Sequence, residues 1–237
     1  DNSGDDVFHA TVIDAPAVSL WALITGSRDL GTITIQDPSV HLVQAYDGST
    51  NLQAALHHAE NEETTSHRGV REPQGPPALP NDLRFKLVID NLKAIYEAPR
   101  MDPMALALDA TIDAPNLQKI AVNFDAKVKQ HESSGEASGN LSADDLFDQR
   151  GILQWQKAFV NTDVKLDKFP IMPVDRFFRT GGKIGAITGR SLTANLQGQG
   201  TLEKFQAGLT AVGDRIDLSA RARGENQFAG LQGTTVK

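Results

Sequence analysis

Apolar and polar residues alternate with a period of two along most of the chain. The first long example places Phe85, Leu87 and Ile89 on one side and Lys86 on the other. The same alternation recurs in six later segments: residues 104–112, 120–128, 160–166, 192–196, 205–211 and 216–220. Strict alternation predicts half-buried strands, which are typical of antiparallel sheets. The pattern therefore predicts a mainly β protein (α+β), rich in meanders.

Helices are predicted to be few and short. The candidates are residues 18–25, 50–60, 174–179 and one turn at 144–147. In the second candidate, Ser49 or Thr50 can cap the first turn. Few helices means that little helical surface is available to cover a sheet.

A polar stretch divides the chain. Residues 61–81 contain four prolines and almost no apolar side chain, so they are predicted to form an exposed linker or loop. This separates an N-terminal β/α segment, residues 1–60, from a β-sheet region, residues 82–237, which can be continuous with the first.

Composition excludes several classes of protein. The 237 residues contain no cysteine, which excludes disulfides, thiolate metal sites and cysteine nucleophiles. The formal net charge is −7, which disfavours a generic nucleic-acid binder. The first sixty residues are acidic, whereas residues 151–237 carry twelve basic against seven acidic residues. That basic part can face anionic headgroups or an acidic partner, or its charges can simply hydrate outer strand faces.

Membrane-spanning and targeting signals are missing from the sequence as given. No run approaches the roughly 20 apolar residues that cross a bilayer, and the chain starts with an acidic, polar segment without Met. We expect the sequence to be part of a longer protein.

Candidate catalytic and metal-ligating groups do not form a recognisable constellation. His57 and His58, next to Glu60, Glu62 and Glu63, would point about 100° apart on a helix and lack the spacing of a zinc helix.

Two further groups of residues also fail to match a known catalytic or ligand-binding motif. Asp144, Asp145 and Asp148 are carboxylates without an obvious partner, and the glycine-rich residues 181–189 do not match a phosphate loop or a dinucleotide fingerprint. No Gly-x-Ser-x-Gly elbow occurs. The sequence predicts neither an enzyme nor a metal or cofactor site.

Residues 18–52 carry the most distinctive pattern. A predicted helix precedes a strand that reaches Pro38, and a second strand runs into the turn Asp47-Gly48-Ser49-Thr50-Asn51-Leu52. This order resembles the N-terminal segment of the AsmA-like proteins, the group of Gram-negative envelope proteins that includes AsmA, TamB and YhdP. Pro38 is expected to turn a hairpin, Gly48 to supply a permissive backbone, and Asn51 with Leu52 to open a capped helix.

The resemblance implies a curved sheet with an open apolar groove that carries phospholipid or another lipid. It also implies a non-enzymatic role in lipid transport or outer-membrane biogenesis, a periplasmic location, an inner-membrane anchor outside this chain, and envelope protein partners. The residues expected to line the groove are Phe85, Leu87, Ile89, Leu106, Leu108, Val122, Phe124 and Val128.

The strand pattern leaves one alternative open. Acyl chains can cover the apolar strand faces, as in other apolar ligand sites. A second sheet, packed about 10 Å away, would cover them equally well in a closed β-sandwich. That arrangement favours a scaffold or protein-interaction module of the envelope.

Overall fold

A computed structural model of the protein describes residues 8–14, 28–53, 83–148, 151–177, 180–225 and 228–236. Its strands are β1 (Phe8–His9), β2 (Val12–Asp14), β3 (Asp29–Gln36), β4 (Ser39–Val43), β5 (Arg84–Glu97), β6 (Met104–Asn116), β7 (Lys119–Gln130), β8 (Ser133–Asp144), β9 (Phe159–Pro170), β10 (Ser191–Gly200), β11 (Lys204–Gly213), β12 (Asp217–Glu225) and β13 (Phe228–Val236). Two short helices, α1 (Ile171–Phe177) and α2 (Lys183–Thr188), connect β9 to β10. Residues 51–53 are also helical.

All thirteen strands belong to one sheet. From β5 to β13 every strand pairs antiparallel with the next one in the chain, which makes a long meander. At its other side β3 and β4 both pair with β5, and β2 and β1 follow them outward. The described strands form no second sheet and the sheet is open, so the mainly β, antiparallel meander is confirmed and the closed sandwich is wrong for this part of the chain.

The strand register joins the apolar residues into continuous rows across the sheet. One row begins with Leu87, Ile112 and Val122 and continues to Leu141 in β8. The row beside it runs through eight strands and consists of Ile89, Ala110, Phe124, Gly139, Val164, Leu196, Leu209 and Ala220. Because successive side chains on a strand point to opposite faces, these rows share one face, here called the apolar face.

The sheet bends sharply over β8. Strands two apart in a flat sheet are separated by about 9.6 Å, yet Cα atoms of β7 and β9 lie within 8 Å of each other. A Cβ at Gly139 would lie 2.6 Å from Phe124 Cε1 and 3.1 Å from Val164 Cγ2. At Gly135 it would lie 2.6 Å from the Lys168 carbonyl oxygen. Both positions are on the apolar face, so that face lies on the inside of the bend, and glycine permits the close approach.

Pro38 does not turn a hairpin, which corrects the expectation from the sequence. Strands β3 and β4 run in the same direction, both parallel to β5. Asp37 N donates to Asp90 O at 2.9 Å and Lys93 N donates to Pro38 O at 2.8 Å, so the ladder passes the proline uninterrupted. Asp37 and Asn91 both have positive φ, 46° and 55°. The chain therefore makes matched bulges in neighbouring strands instead of reversing.

The predicted helices agree only in part with the structure. Helix α1 begins at Ile171, three residues before the predicted start. The predicted turn of helix at 144–147 is wrong: Asp145 has a φ of 59° and Phe147 forms a bridge with Leu153. Asp148 causes this, since its Oδ1 accepts a hydrogen bond from Ile152 N at 3.0 Å and closes a tight loop. Residues 18–25, 54–60 and 61–81 lie outside the described part of the chain.

Candidate functional site

The eight residues predicted to line a groove all lie on the apolar face. Phe85, Leu87 and Ile89 come from β5, Leu106 and Leu108 from β6, and Val122, Phe124 and Val128 from β7. A bulge in β5 keeps its two halves in phase, because Ile89 pairs with Ala110 and Leu92 with Leu108.

No second sheet of the described chain packs on this face, and helices α1 and α2 contact mainly each other and β10. Seven of the eight candidates are half-buried. Only nine apolar residues in the described ranges are buried, and five of them are alanine. Val128 is the exception, since its side chain is 2% exposed. It is packed inside the bend, opposite Gly135.

The apolar face continues well beyond the residues that the sequence singled out. Strands β9 to β11 add Val164, Leu166, Leu192, Leu196 and Leu209 to it. Leu196 is 40% exposed and Val160 38%. Their alternation was visible in the sequence, but nothing there gave the register that joins them to Phe124 and Leu87. The face thus spans at least eight strands.

The opposite face is polar and forms side-chain pairs across strands. Asn140 donates to Asn123, and Gln197 Nε2 donates to Asp163 Oδ2 at 3.3 Å. A shallow cleft of about 770 Å³ on this side is lined by amide groups together with Arg221 and Arg223. One face of the sheet is therefore polar and the other apolar, although no second layer of the described chain packs on either.

Helices α1 and α2 lie at one end of the sheet. They border a cleft of about 1120 Å³ together with the turns at residues 44–48 and 99–102. Arg100, Arg176 and Arg190 also line this cleft. Helices and polar turns therefore border the apolar face at this end of the strands.

Tyr96 closes the apolar face at the same end. It is buried, and its hydroxyl donates to Gln44 Oε1 at 2.7 Å. Burial raises the pKa of Tyr96, and the positive charge of Arg176 opposes part of that rise. The tyrosine therefore stays neutral at physiological pH and links β5 to the turn after β4.

Asp175 holds the two helices together. Its carboxylate is buried and accepts hydrogen bonds from Gly185 N at 2.7 Å, from Ile184 N at 3.0 Å and from the Thr180 hydroxyl. Burial alone raises the pKa of Asp175, but these three donors outweigh it, so the pKa lies below its ordinary value. The glycine-rich residues 181–189 thus bind an internal carboxylate where a phosphate loop would bind a phosphate.

The motif residues at 47–52 form an ordered turn. Gly48 has a φ of 85°, which favours glycine. Asn51 Nδ2 donates to His41 O at 2.7 Å, and Asn51 Oδ1 accepts from Val43 N at 3.0 Å. The asparagine amide therefore occupies the edge of β4 as a neighbouring strand would. Leu52 is exposed and lies in the helical residues 51–53.

Thr50 begins the helical residues with a reciprocal cap. Thr50 Oγ1 accepts from Gln53 N at 3.3 Å, and Gln53 Oε1 accepts from Thr50 N at 3.1 Å. This is a capping box. The pattern supports the predicted opening of a helix after the glycine turn.

The described ranges contain neither a cluster of metal-ligating side chains nor a membrane-spanning helix. Among those residues no three His, Asp or Glu side chains are grouped to hold a metal ion, and Asp144, Asp145 and Asp148 do not form such a group. His57, His58, Glu60, Glu62 and Glu63 lie outside the described residues. In the part of the chain that the structure describes, no helix has the length and apolar character needed to span a bilayer.

Comparisons with known proteins give no relative for this chain. Nothing matches it among protein-family models, curated proteins or solved structures. Its function must therefore be argued from the apolar face itself.

Proposed function

We propose that the apolar face binds the acyl chains of lipids. The observation that carries this proposal is an apolar face across at least eight strands that lacks a second layer of protein in the described chain. Hydrocarbon on this face would be removed from water at about 0.8 kcal/mol per methylene group. Van der Waals packing against such rows needs no directional partner, so a flexible chain fits it.

The resemblance to AsmA-like proteins supplies the biological context of the proposal. In that context the protein is a non-enzymatic module of a Gram-negative envelope, located in the periplasm and attached to the inner membrane through a segment outside this chain. It would take part in phospholipid transport or outer-membrane biogenesis. The apolar face without a second layer and the ordered glycine–asparagine turn support this proposal.

Lipid retention by the purified protein tests the proposal. We expect native mass spectrometry to show bound phospholipid, and solvent extraction to recover it. Delipidated protein should take up a phospholipid with a fluorescent acyl chain, and a competing fatty acid should displace it. A folded protein that neither retains lipid nor takes up the probe would exclude acyl-chain binding.

A second candidate function is a scaffold that binds envelope proteins. It is favoured by β13, which pairs with β12 alone among the described strands and so offers a free edge. An extended peptide can add to such an edge. This alternative predicts a stable complex with a partner peptide and no bound lipid. Proline substitutions in β13 would abolish that complex and leave lipid uptake unchanged.

A further inference from the structure

Large apolar side chains are exposed at the end of the sheet opposite the two helices. Residues 145–158 connect β8 to β9 at that end, and residues 201–203 connect β10 to β11. Gly200 pairs with Val160, so the second connection lies beside the start of β9. Five side chains there are between 43% and 58% exposed, and we call them the apolar tip: Ile152, Leu153, Trp155, Phe159 and Leu202.

The backbone beneath the apolar tip is already hydrogen-bonded within the protein. Gln154 N donates to Leu146 O at 2.7 Å, and Ala158 N donates to Gln154 O at 3.2 Å. In the neighbouring connection, Thr201 N donates to Lys204 O at 2.8 Å.

Asp148 organises the first connection further. Its backbone N donates to Ile152 O at 2.9 Å, and its carboxylate accepts from Ile152 N and Gln154 Nε2. Unpaired backbone groups are what normally exclude loops from a bilayer. Since these amides are paired, the side chains above them can enter an apolar phase.

We propose that the apolar tip inserts into the interfacial region of a lipid bilayer. Tryptophan is enriched at this depth, because its ring is apolar and its N–H can remain hydrated. The tip consists of separate side chains on two connections, and a fluid bilayer can accommodate them without a surface of matching shape. Protein partners typically require about 800 Å² of complementary surface on each side.

Charged side chains of both signs lie near the apolar tip, and this bears on which lipids the tip can bind. Lys119 and Lys157 are exposed there, as are Asp144, Asp145 and Glu203. Binding therefore rests on apolar insertion and does not require anionic lipid. This inference goes beyond the proposed function, since it concerns the connections at the end of the sheet and holds even if the apolar face carries no lipid.

Vesicle binding by the full chain tests the proposal. The sequence contains two tryptophans, Trp21 and Trp155, so a Trp21→Phe background makes Trp155 the only indole. We expect the protein to sediment with vesicles of phosphatidylcholine alone, and to do so at high salt. Trp155 emission should shift to shorter wavelength, and brominated phosphatidylcholine should quench it.

Matched variants locate the binding surface. The triple variant Leu153→Ser, Trp155→Ser, Leu202→Ser should lower the vesicle partition coefficient at least tenfold. The control Tyr46→Ser, Met172→Ser, Ile187→Ser removes three apolar side chains from the helix end that are as exposed as those of the tip or more so, and it should change the partition coefficient less than twofold. Thr210→Asp, on the polar face, should also leave vesicle binding unchanged.

Three outcomes overturn the proposal. The first is vesicle binding that the tip variant retains or that the control variant loses to the same extent. The second is binding that needs phosphatidylglycerol and disappears with salt. The third is sedimentation with vesicles while Trp155 emission stays unshifted and unquenched. Circular dichroism of each variant separates loss of binding from loss of fold.

Discussion

A single charge on the apolar face should weaken lipid binding strongly while the protein stays folded. Leu196 is the best position, because it lies between Val164 and Leu209 in the longest row and is 40% exposed. Substitution Leu196→Asp places a carboxylate where we expect hydrocarbon. Thr210→Asp is the matched control, since Thr210 is exposed on the polar face of the adjacent strand.

The expected loss of binding free energy follows from the exposed fraction of the Leu196 side chain. Full burial of a leucine side chain contributes about 1.5–3 kcal/mol, so covering the 40% that is exposed contributes about 0.6–1.2 kcal/mol. A polar group buried under hydrocarbon without a partner costs about 2 kcal/mol more. The two effects together weaken binding by about 3 kcal/mol, which is roughly a hundredfold in the dissociation constant.

The assay is equilibrium titration with a phospholipid that carries a fluorescent acyl chain, at neutral pH. Thr210→Asp adds the same charge to the other face and should change the dissociation constant less than twofold. Thermal unfolding of both variants should remain cooperative. If folded Leu196→Asp binds the probe as tightly as the unchanged protein, acyl chains do not lie on this part of the sheet, and the argument from the uncovered face fails.

Three further predictions concern the scaffold. Gly135→Ala should destabilise the protein by roughly 3 kcal/mol in urea unfolding, because the new Cβ would meet the Lys168 carbonyl. Gly208 has open space around the position of an added Cβ, so Gly208→Ala should leave stability unchanged or raise it slightly. Equal losses of stability for Gly135→Ala and Gly208→Ala would contradict the bend over β8. Asp175→Asn should lower the free energy of unfolding by about 1–3 kcal/mol at pH 7. Because the folded-state pKa of Asp175 is lowered, its contribution to stability is present above the unfolded-state pKa and is lost as pH falls through the folded-state pKa. A melting-temperature difference between Asp175→Asn and the unchanged protein that does not shrink on acidification would argue against this origin. Asn51→Ala should lower the free energy of unfolding by about 1–2 kcal/mol, because His41 O and Val43 N lose their hydrogen-bond partners. It should also speed amide hydrogen exchange at Val43. Unchanged exchange would mean that another group binds this edge of β4.

The alternation of residues was sufficient to predict seven of the eight strands from β5 to β12 and the side of each that is apolar, because a half-buried antiparallel strand leaves its period directly in the sequence. It did not single out β8, where Ser, Gly and Ala occupy most positions. The same reasoning left open whether protein covers the apolar face, since that depends on contacts between distant segments. It also predicted too early an end for β5, near Ile89, because the bulge at Asn91 shifts the alternation by one residue.

Turn signals were less reliable than strand signals. Asp37-Pro38 is typical of a chain reversal, but the carbonyl of Pro38 and the amide of Asp37 continue the ladder to β5. Likewise the acids at 144–148 matched a helix start, whereas Asp148 binds the amide of Ile152 and closes a loop. In both places long-range or side-chain hydrogen bonds decided a conformation that local preference left undetermined. The apolar tip was missed for a related reason: Leu153, Trp155 and Leu202 have no periodicity.

The paired bulges next to Pro38 couple the lengths of two separate segments. Between Ile89 and Leu92 strand β5 has one residue more than β6 opposite it, and the step from Gln36 to Ser39 matches the step from Asp90 to Lys93. Deleting Asn91 alone would therefore leave Leu92 on the apolar face and in regular register with β6, but it would make the segment from Gln36 to Ser39 one residue longer than the segment of β5 beside it. Insertions and deletions in these two segments should be tolerated only as compensating pairs, which constrains how this end of the sheet can change during evolution.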